Sequence, residues 1–154
     1  MFEYIQNHCL SKSFVEETFP FDETTIVWKV AGKIFCIGDI NNFQSISLKC
    51  NPEKAIELRE QFVQIQPGFH LNKNLWNTVY LEGLNLDFVF SLIDHSYNEV
   101  VQKLPKKLKE EILDPIFSEF SEKIYPYISI LFIMYSLNLV LIIVILFLTI
   151  LRKK

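Results

Sequence analysis

Apolar positions change their period several times along the chain, and each change marks an element. Phe2, Ile5, Cys9 and Leu10 recur at three- to four-residue spacing, which predicts a short helix over residues 2–11. Residues 25–30 and 33–37 are rich in β-branched and aromatic side chains, and Ala31-Gly32 between them is the two-residue connection of a hairpin. Residues 45–50 alternate polar with apolar and predict a third strand. Asn51-Pro52-Glu53 then starts a helix: Asn caps free amides, Pro suits the first helical position, and Glu favours the positive end of the dipole. This helix is expected to reach Phe62, with Ala55, Ile56, Leu58 and Phe62 inward. A weaker strand falls at 63–66, Pro67-Gly68 turns the chain, and 75–81 is a strong strand. Val89, Leu92, Ile93, Ser96, Tyr97, Val100, Val101 and Leu104 form the stripe of a helix over 87–103, which Pro105 interrupts. Residues 106–123 form another amphipathic helix, with Leu108, Ile112, Leu113, Ile116, Phe117 and Phe120 on one side. The order α-β3-α-β2-α with hairpin-linked strands predicts an α+β, two-layer domain with an antiparallel sheet.

The pattern then stops being amphipathic. No charge occurs from Ile124 to Leu151, and 20 of the 24 residues in 128–151, bounded by Ile128 and Leu151, are hydrophobic. As a helix this segment is about 36 Å long, against a hydrocarbon core of about 30 Å. Tyr125, Tyr127 and Tyr135 lie toward one end, and Arg152, Lys153 and Lys154 follow the other. A single transmembrane helix is the expectation. The organisation is then 1–112 as the folded domain, 113–127 as an amphipathic connector, 128–151 as the span and 152–154 as a basic tail. The N-terminal stretch lacks the apolar run of a signal peptide, because Glu3, Gln6, Asn7, His8 and Lys12 interrupt it. The expected location is therefore a single-pass membrane protein with its N-terminal domain in the cytoplasm.

Composition changes this picture in one respect. Of 15 basic residues, three follow the span, leaving 12 against 18 acidic ones before it, a balance of −6. An acidic domain whose only arginine is Arg59 does not bind nucleic acid by bulk charge, so any such binding needs a local patch. Cys9, Cys36 and Cys50 form no Cys-x-x-Cys pair and are expected as reduced, apolar thiols. No Cys or His spacing suits a metal, no glycine-rich phosphate loop occurs, and no cofactor is expected. Asp94-His95-Ser96 resembles a catalytic triad in print, but adjacent helical residues point about 100° apart and cannot form a relay. Glu16-Glu17 and Glu110-Glu111 are expected as solvated surface. An enzyme is not expected.

One stretch concentrates chemistry. Pro67-Gly68-Phe69-His70-Leu71-Asn72-Lys73-Asn74-Leu75-Trp76-Asn77-Thr78 brings amide donors, a cation and a stacking ring between a turn and a strand. Such a mixture suits a phosphate or a base. It equally suits a structured loop whose Asn side chains cap turns and whose Trp packs on the sheet.

The same stretch belongs to a longer series of recognisable blocks. These include Phe19-Pro20-Phe21, Val27-Trp28-Lys29-Val30-Ala31-Gly32-Lys33-Ile34-Phe35, Leu48-Lys49-Cys50-Asn51-Pro52-Glu53, Leu58-Arg59, Asp94-His95-Ser96-Tyr97 and Lys103-Leu104-Pro105-Lys106-Lys107. In this order, over about residues 1–112, the chain resembles the MmcQ/YjbR family, described as carrying a double-wing DNA-binding domain. The resemblance implies a YjbR-like α+β fold and a DNA-binding role, with a polar signature falling on Lys49, His70, Asn72, Lys73, Trp76 and Asn77. Lys29 and Lys33 join them as phosphate-binding candidates. The sequence departs from the family at Phe69, where Tyr is common, at Leu71 for Met, at Leu75 for His, and in the apolar tail. Two readings follow: a non-catalytic DNA-binding domain tethered to the membrane, or a membrane-anchored module whose partner is a protein. An enzyme would need a pocket joining His70 to a carboxylate of shifted pKa.

Overall fold

In a computed structural model, the backbone is described for residues 1–152, and side chains for all of these except 113–122, 144, 146, 147, 149 and 151. Two compact units result, Met1–Ile112 and Leu113–Lys154.

The first unit opens with helix α1 (Phe2–Leu10) and continues through strands β1 (Val15–Thr18), β2 (Thr25–Val30), β3 (Lys33–Asp39) and β4 (Ser45–Lys49). Helix α2 (Pro52–Gln61), strands β5 (Ile65–Pro67) and β6 (Trp76–Tyr80), and helix α3 (Leu86–Val101) follow. Helix α4 spans Lys106–Arg152. The strands form one antiparallel sheet in the order β1-β2-β3-β4-β6-β5. Ala31 (φ 47°) and Gly32 (φ 72°) make the β2–β3 turn, both in the left-handed region that a two-residue hairpin demands. Asn51 caps α2 through its side chain, accepting from the Lys54 N–H at 2.8 Å, with Pro52 in the first turn.

Strand β1 is an addition to the sequence reading. Its β-branched Val15 and Thr18 flank two adjacent acids, which break the apolar pattern of a strand; tertiary contacts supply what the local sequence lacks. Glu17, expected in solvent, is half-buried and accepts hydrogen bonds from Gln6 of α1 (2.9 and 3.1 Å) and from the Trp28 indole (3.0 Å). In α2, Ala55 and Leu58 are inward as expected, but Ile56 is exposed: one position on from Ala55 lies about 100° around the helix. The α3 stripe is buried from Val89 to Leu104.

One core joins the sheet to α1, α2 and α3, with Trp28, Phe35, Ile46, Ile5 and Ile93 fully buried. Register slips between Trp28 and Lys29, leaving Phe35 as an extra residue of β3, so that Phe35 and Cys36 both enter the core. Ser96 closes this bulge. Its hydroxyl donates to the Phe35 carbonyl at 2.5 Å and accepts from the Lys49 N–H at 2.7 Å. The Asp94-His95-Ser96 run thus divides its work. Ser96 faces the sheet, while Asp94 meets His8 (2.6 Å) and Lys12 at the α1–α3 contact.

The second unit is helical. Residues Lys123–Ile143 are long and apolar enough to cross a membrane, with mean hydropathy 2.1 and none of the segment buried in the chain. This window begins five residues before the 128–151 segment read from sequence. Lys153, Lys154 and the side chains of Leu113, Ile116, Phe117 and Phe120 lie outside the described residues.

Candidate nucleic-acid interface

Side chains alternate across a strand, so the residues not turned to the helices share the other sheet face. On β2 these are Thr25, Val27 and Lys29; on β4 Ser45, Ser47 and Lys49; on β6 Trp76, Thr78 and Tyr80. The register sets Lys49 beside Trp76, Ser47 beside Thr78 and Ser45 beside Tyr80. One end of this face is therefore cationic and aromatic, the other hydroxylated and aromatic.

At the cationic end, Lys49 Nζ lies 5.6 Å from the Trp76 ring centre, within cation–π range. Burial lowers the Lys49 pKa from its usual 10.5; Lys103 and Lys33 lower it further and Glu99 opposes them. Lys33 on β3 and Lys103, two residues past α3, thus both act on Lys49, while Lys103 is engaged by Glu99 at 3.1 Å. Within the Lys103-Leu104-Pro105-Lys106-Lys107 block, Lys103 pairs with Glu99, and Lys106 pairs with Glu110 at 3.7 Å on the exposed α4 surface.

The remaining candidates separate by position. Lys29 is on the same sheet face, opposite Glu16 across the β1–β2 ladder. Lys73 and Asn72 are exposed in the β5–β6 loop, where the Asn72 side chain accepts from the Asn74 N–H at 2.9 Å and so shapes the turn. His70 is exposed with φ 53°, its ring edge-on to Phe69 at 4.0 Å. Asn77 faces the opposite side of the sheet. It is 2% exposed, accepts from Arg59 Nε at 2.7 Å and donates to the Ala55 carbonyl at 3.5 Å. Arg59 also donates to the carbonyls of Lys73 and Trp76, tying α2 to the loop. Arg59 stood in the Leu58-Arg59 block and is the sole arginine before the tail, but neither signal gave it this role.

Two loops border the hydroxylated end. The β5–β6 loop is pinned by the Phe69 N–H, which donates to Thr78 Oγ1 at 3.1 Å, and by the Gly68 N–H, which donates to the Trp76 carbonyl at 2.9 Å. A Cβ at Gly68 would lie 2.8 Å from Trp76 Cβ, so only glycine allows this approach. The β1–β2 loop is organised by Asp22, whose pKa is lowered to about 2 by the N–H groups of Thr25 and Thr24. Between the loops runs an open groove of about 340 Å³, lined by Phe21, Ile37, Asp39, Ser47, Phe69 and Tyr80 among others. His70 and the lysines are not part of its lining.

This geometry can be set beside known proteins. A family model described as YjbR matches residues 10–99, more than half of the chain. The chain belongs to the YjbR family. YjbR of Escherichia coli K12 is 34% identical over 105 residues, covering 67% of this chain and 89% of the relative. YbdF of Escherichia coli O157:H7 is 33% identical over 105 residues, covering 67% and 86%. The crystal structure of a DUF419-domain protein from Deinococcus radiodurans has a TM-score of 0.68 at 35% identity, covering 73% of this chain and 87% of its own. A Pseudomonas syringae protein shares the fold alone, with a TM-score of 0.53 at 24% identity over 63% and 96% of the two chains. The YjbR match contains both bordering loops and all eight candidate residues from Lys29 to Asn77; α4 follows it.

Proposed function

We propose that this YjbR-family protein is a non-catalytic DNA-binding protein, held at a membrane by α4 with its first unit on the cytoplasmic side. The observation that carries the reading is Lys49 beside Trp76 on an open sheet face that also bears Lys29. Lys49 meets a phosphate, Lys29 and the exposed Lys33 extend the cationic side, and Trp76 gives a base a surface to stack on. His70 and Lys73 stand on the adjoining loop. Asn72 and Asn77 support the loop and sheet rather than touch DNA. Nothing in the mechanism requires bond chemistry, a metal or a cofactor. Tethering rests on the length and hydropathy of Lys123–Ile143. The buried thiols of Cys9, Cys36 and Cys50 fit a reducing compartment, which favours the cytoplasmic face.

The test is a titration of labelled DNA against the full chain in lipid nanodiscs over a series of salt concentrations. Each phosphate contact contributes about 0.9 to the salt slope on duplex DNA. Lys33→Ala with Lys49→Ala is expected to weaken binding alike for all sequences and to reduce the slope by about 2. Equal affinity and slope in wild type and variant remove the lysine group from the interface.

One observation favours a second reading, a membrane-anchored protein-interaction module. The groove between the two loops contains Asp39 and no lysine, and the part of the chain before the tail carries a balance of −6. A basic, apolar protein segment matches that groove better than a phosphate does. Absence of DNA binding at low salt, together with a specific protein ligand blocked by Phe69→Ser, selects this reading.

A further inference from the structure

Within the apolar part of α4 one side chain is poorly suited to lipid. Asn138 is the eleventh of the 24 residues in 128–151, about 15 Å along the helix from Ile128, and it also falls inside Lys123–Ile143, so either span sets it within a hydrocarbon core of about 30 Å. Ser129 and Ser136 each return their single hydroxyl proton to a carbonyl four residues back, at 2.9 and 2.8 Å. Asn138 cannot satisfy itself that way. Its Nδ2 donates to the Met134 carbonyl at 3.0 Å, but a carboxamide has a second N–H and an oxygen with two lone pairs. Among the described residues these have no partner, and the side chain is exposed. In hydrocarbon no water replaces the missing bonds.

We infer that the membrane segment pairs with a second copy of this chain through Asn138. This rests on the membrane reading of α4. Parallel copies inserted in the same orientation bring Asn138 to the same depth, and a carboxamide is complementary to itself, oxygen to N–H in both directions. Leu131, Met134, Asn138, Leu141, Ile145 and Leu148 follow one another at alternating three- and four-residue steps, and all are exposed. That is the seam of a two-stranded coil, with Asn138 at a position where one asparagine sets register and favours two strands. The segment is apolar all round, so many seams would pack; one that includes Asn138 removes the carboxamide from lipid.

The experiment uses the full chain, labelled at its N-terminal amine with donor or acceptor dye and reconstituted in phosphatidylcholine vesicles at graded protein-to-lipid ratios. Vesicle flotation first establishes insertion. Energy transfer is expected to follow a dimer isotherm; Asn138→Leu weakens association by about 5- to 30-fold, and Asn138→Gln restores most of it. A chain that floats with vesicles but shows no transfer beyond random encounter, or equal transfer in wild type and Asn138→Leu, overturns the pairing and leaves the tether standing. A chain that does not float overturns the tether and the pairing with it.

Discussion

Single residues carry more of this fold than their sequence neighbourhoods suggest. Ser96 joins β3 to β4 by two hydrogen bonds in a fully buried place, so Ser96→Ala leaves a carbonyl and an N–H unpaired. The expected cost is about 1–3 kcal/mol, read as a lower melting temperature in detergent; an unchanged melt contradicts the bridging role. Acid sensitivity also belongs to this scale. Burial raises the Asp94 carboxyl, but hydrogen bonds and charge from Lys12 and His8 outweigh it and hold its pKa below 3.8. A lowered carboxyl pKa stabilises the fold above the unfolded value, and that contribution is lost as pH falls through the folded one. His95 acts higher on the scale. Burial lowers its pKa below 6.5, Lys54 adds to this, Glu99 opposes, and Nε2 is buried without a hydrogen-bond partner among the described residues. The unfolded chain therefore binds that proton more readily, and stability declines once pH drops below about 6.5. Melts from pH 7.5 to 5 are expected to lose this decline in His95→Leu; a parallel decline in both proteins contradicts the assignment. None of these roles was legible in sequence. The adjacency of Asp94, His95 and Ser96 hides that their partners lie on α1 and on the sheet, 86 residues away for His8 and 61 for Phe35.

Elements were legible where local chemistry and packing agree. Asn51-Pro52-Glu53 caps its helix from within four residues, and the α3 stripe is buried as its 3.6-residue period requires. Strand β1 was not, because its inward Glu17 is stabilised by Gln6 and Trp28 rather than by burial of apolar surface. The β2–β3 turn was read correctly but contains a local conflict, since alanine is strained at φ 47°. Ala31→Asn makes the turn Asn-Gly and is expected to stabilise by up to about 1 kcal/mol, measured by thermal unfolding; destabilisation contradicts a strained Ala31. The loop from 68 to 75 was legible as a chemical concentration but not as a structure. Its shape comes from Arg59 on α2 and Thr78 on β6, so Arg59→Ala is expected to free the loop and to weaken any ligand there while α3 stays folded. Hydrogen exchange at Leu71 and Leu75 measures it, and protection equal to wild type contradicts the anchoring.

At the scale of the molecule, charge and hydropathy are distributed rather than averaged. A chain with a balance of −3 sets Lys29, Lys49 and Trp76 at one end of a sheet face, and a unit of ordinary hydropathy precedes a segment of mean hydropathy 2.1. The family was readable from blocks of residues in order; the pairing of Lys49 with Trp76 was not, because only the β4–β6 register brings them together. The most direct test of the account is the salt dependence of DNA binding by the nanodisc-held chain, compared with Lys33→Ala, Lys49→Ala. The account predicts binding at low salt whose log–log slope falls by about 2 in the double variant, with the melting temperature retained. Slopes that coincide, or no binding by the wild type at low salt, contradict it.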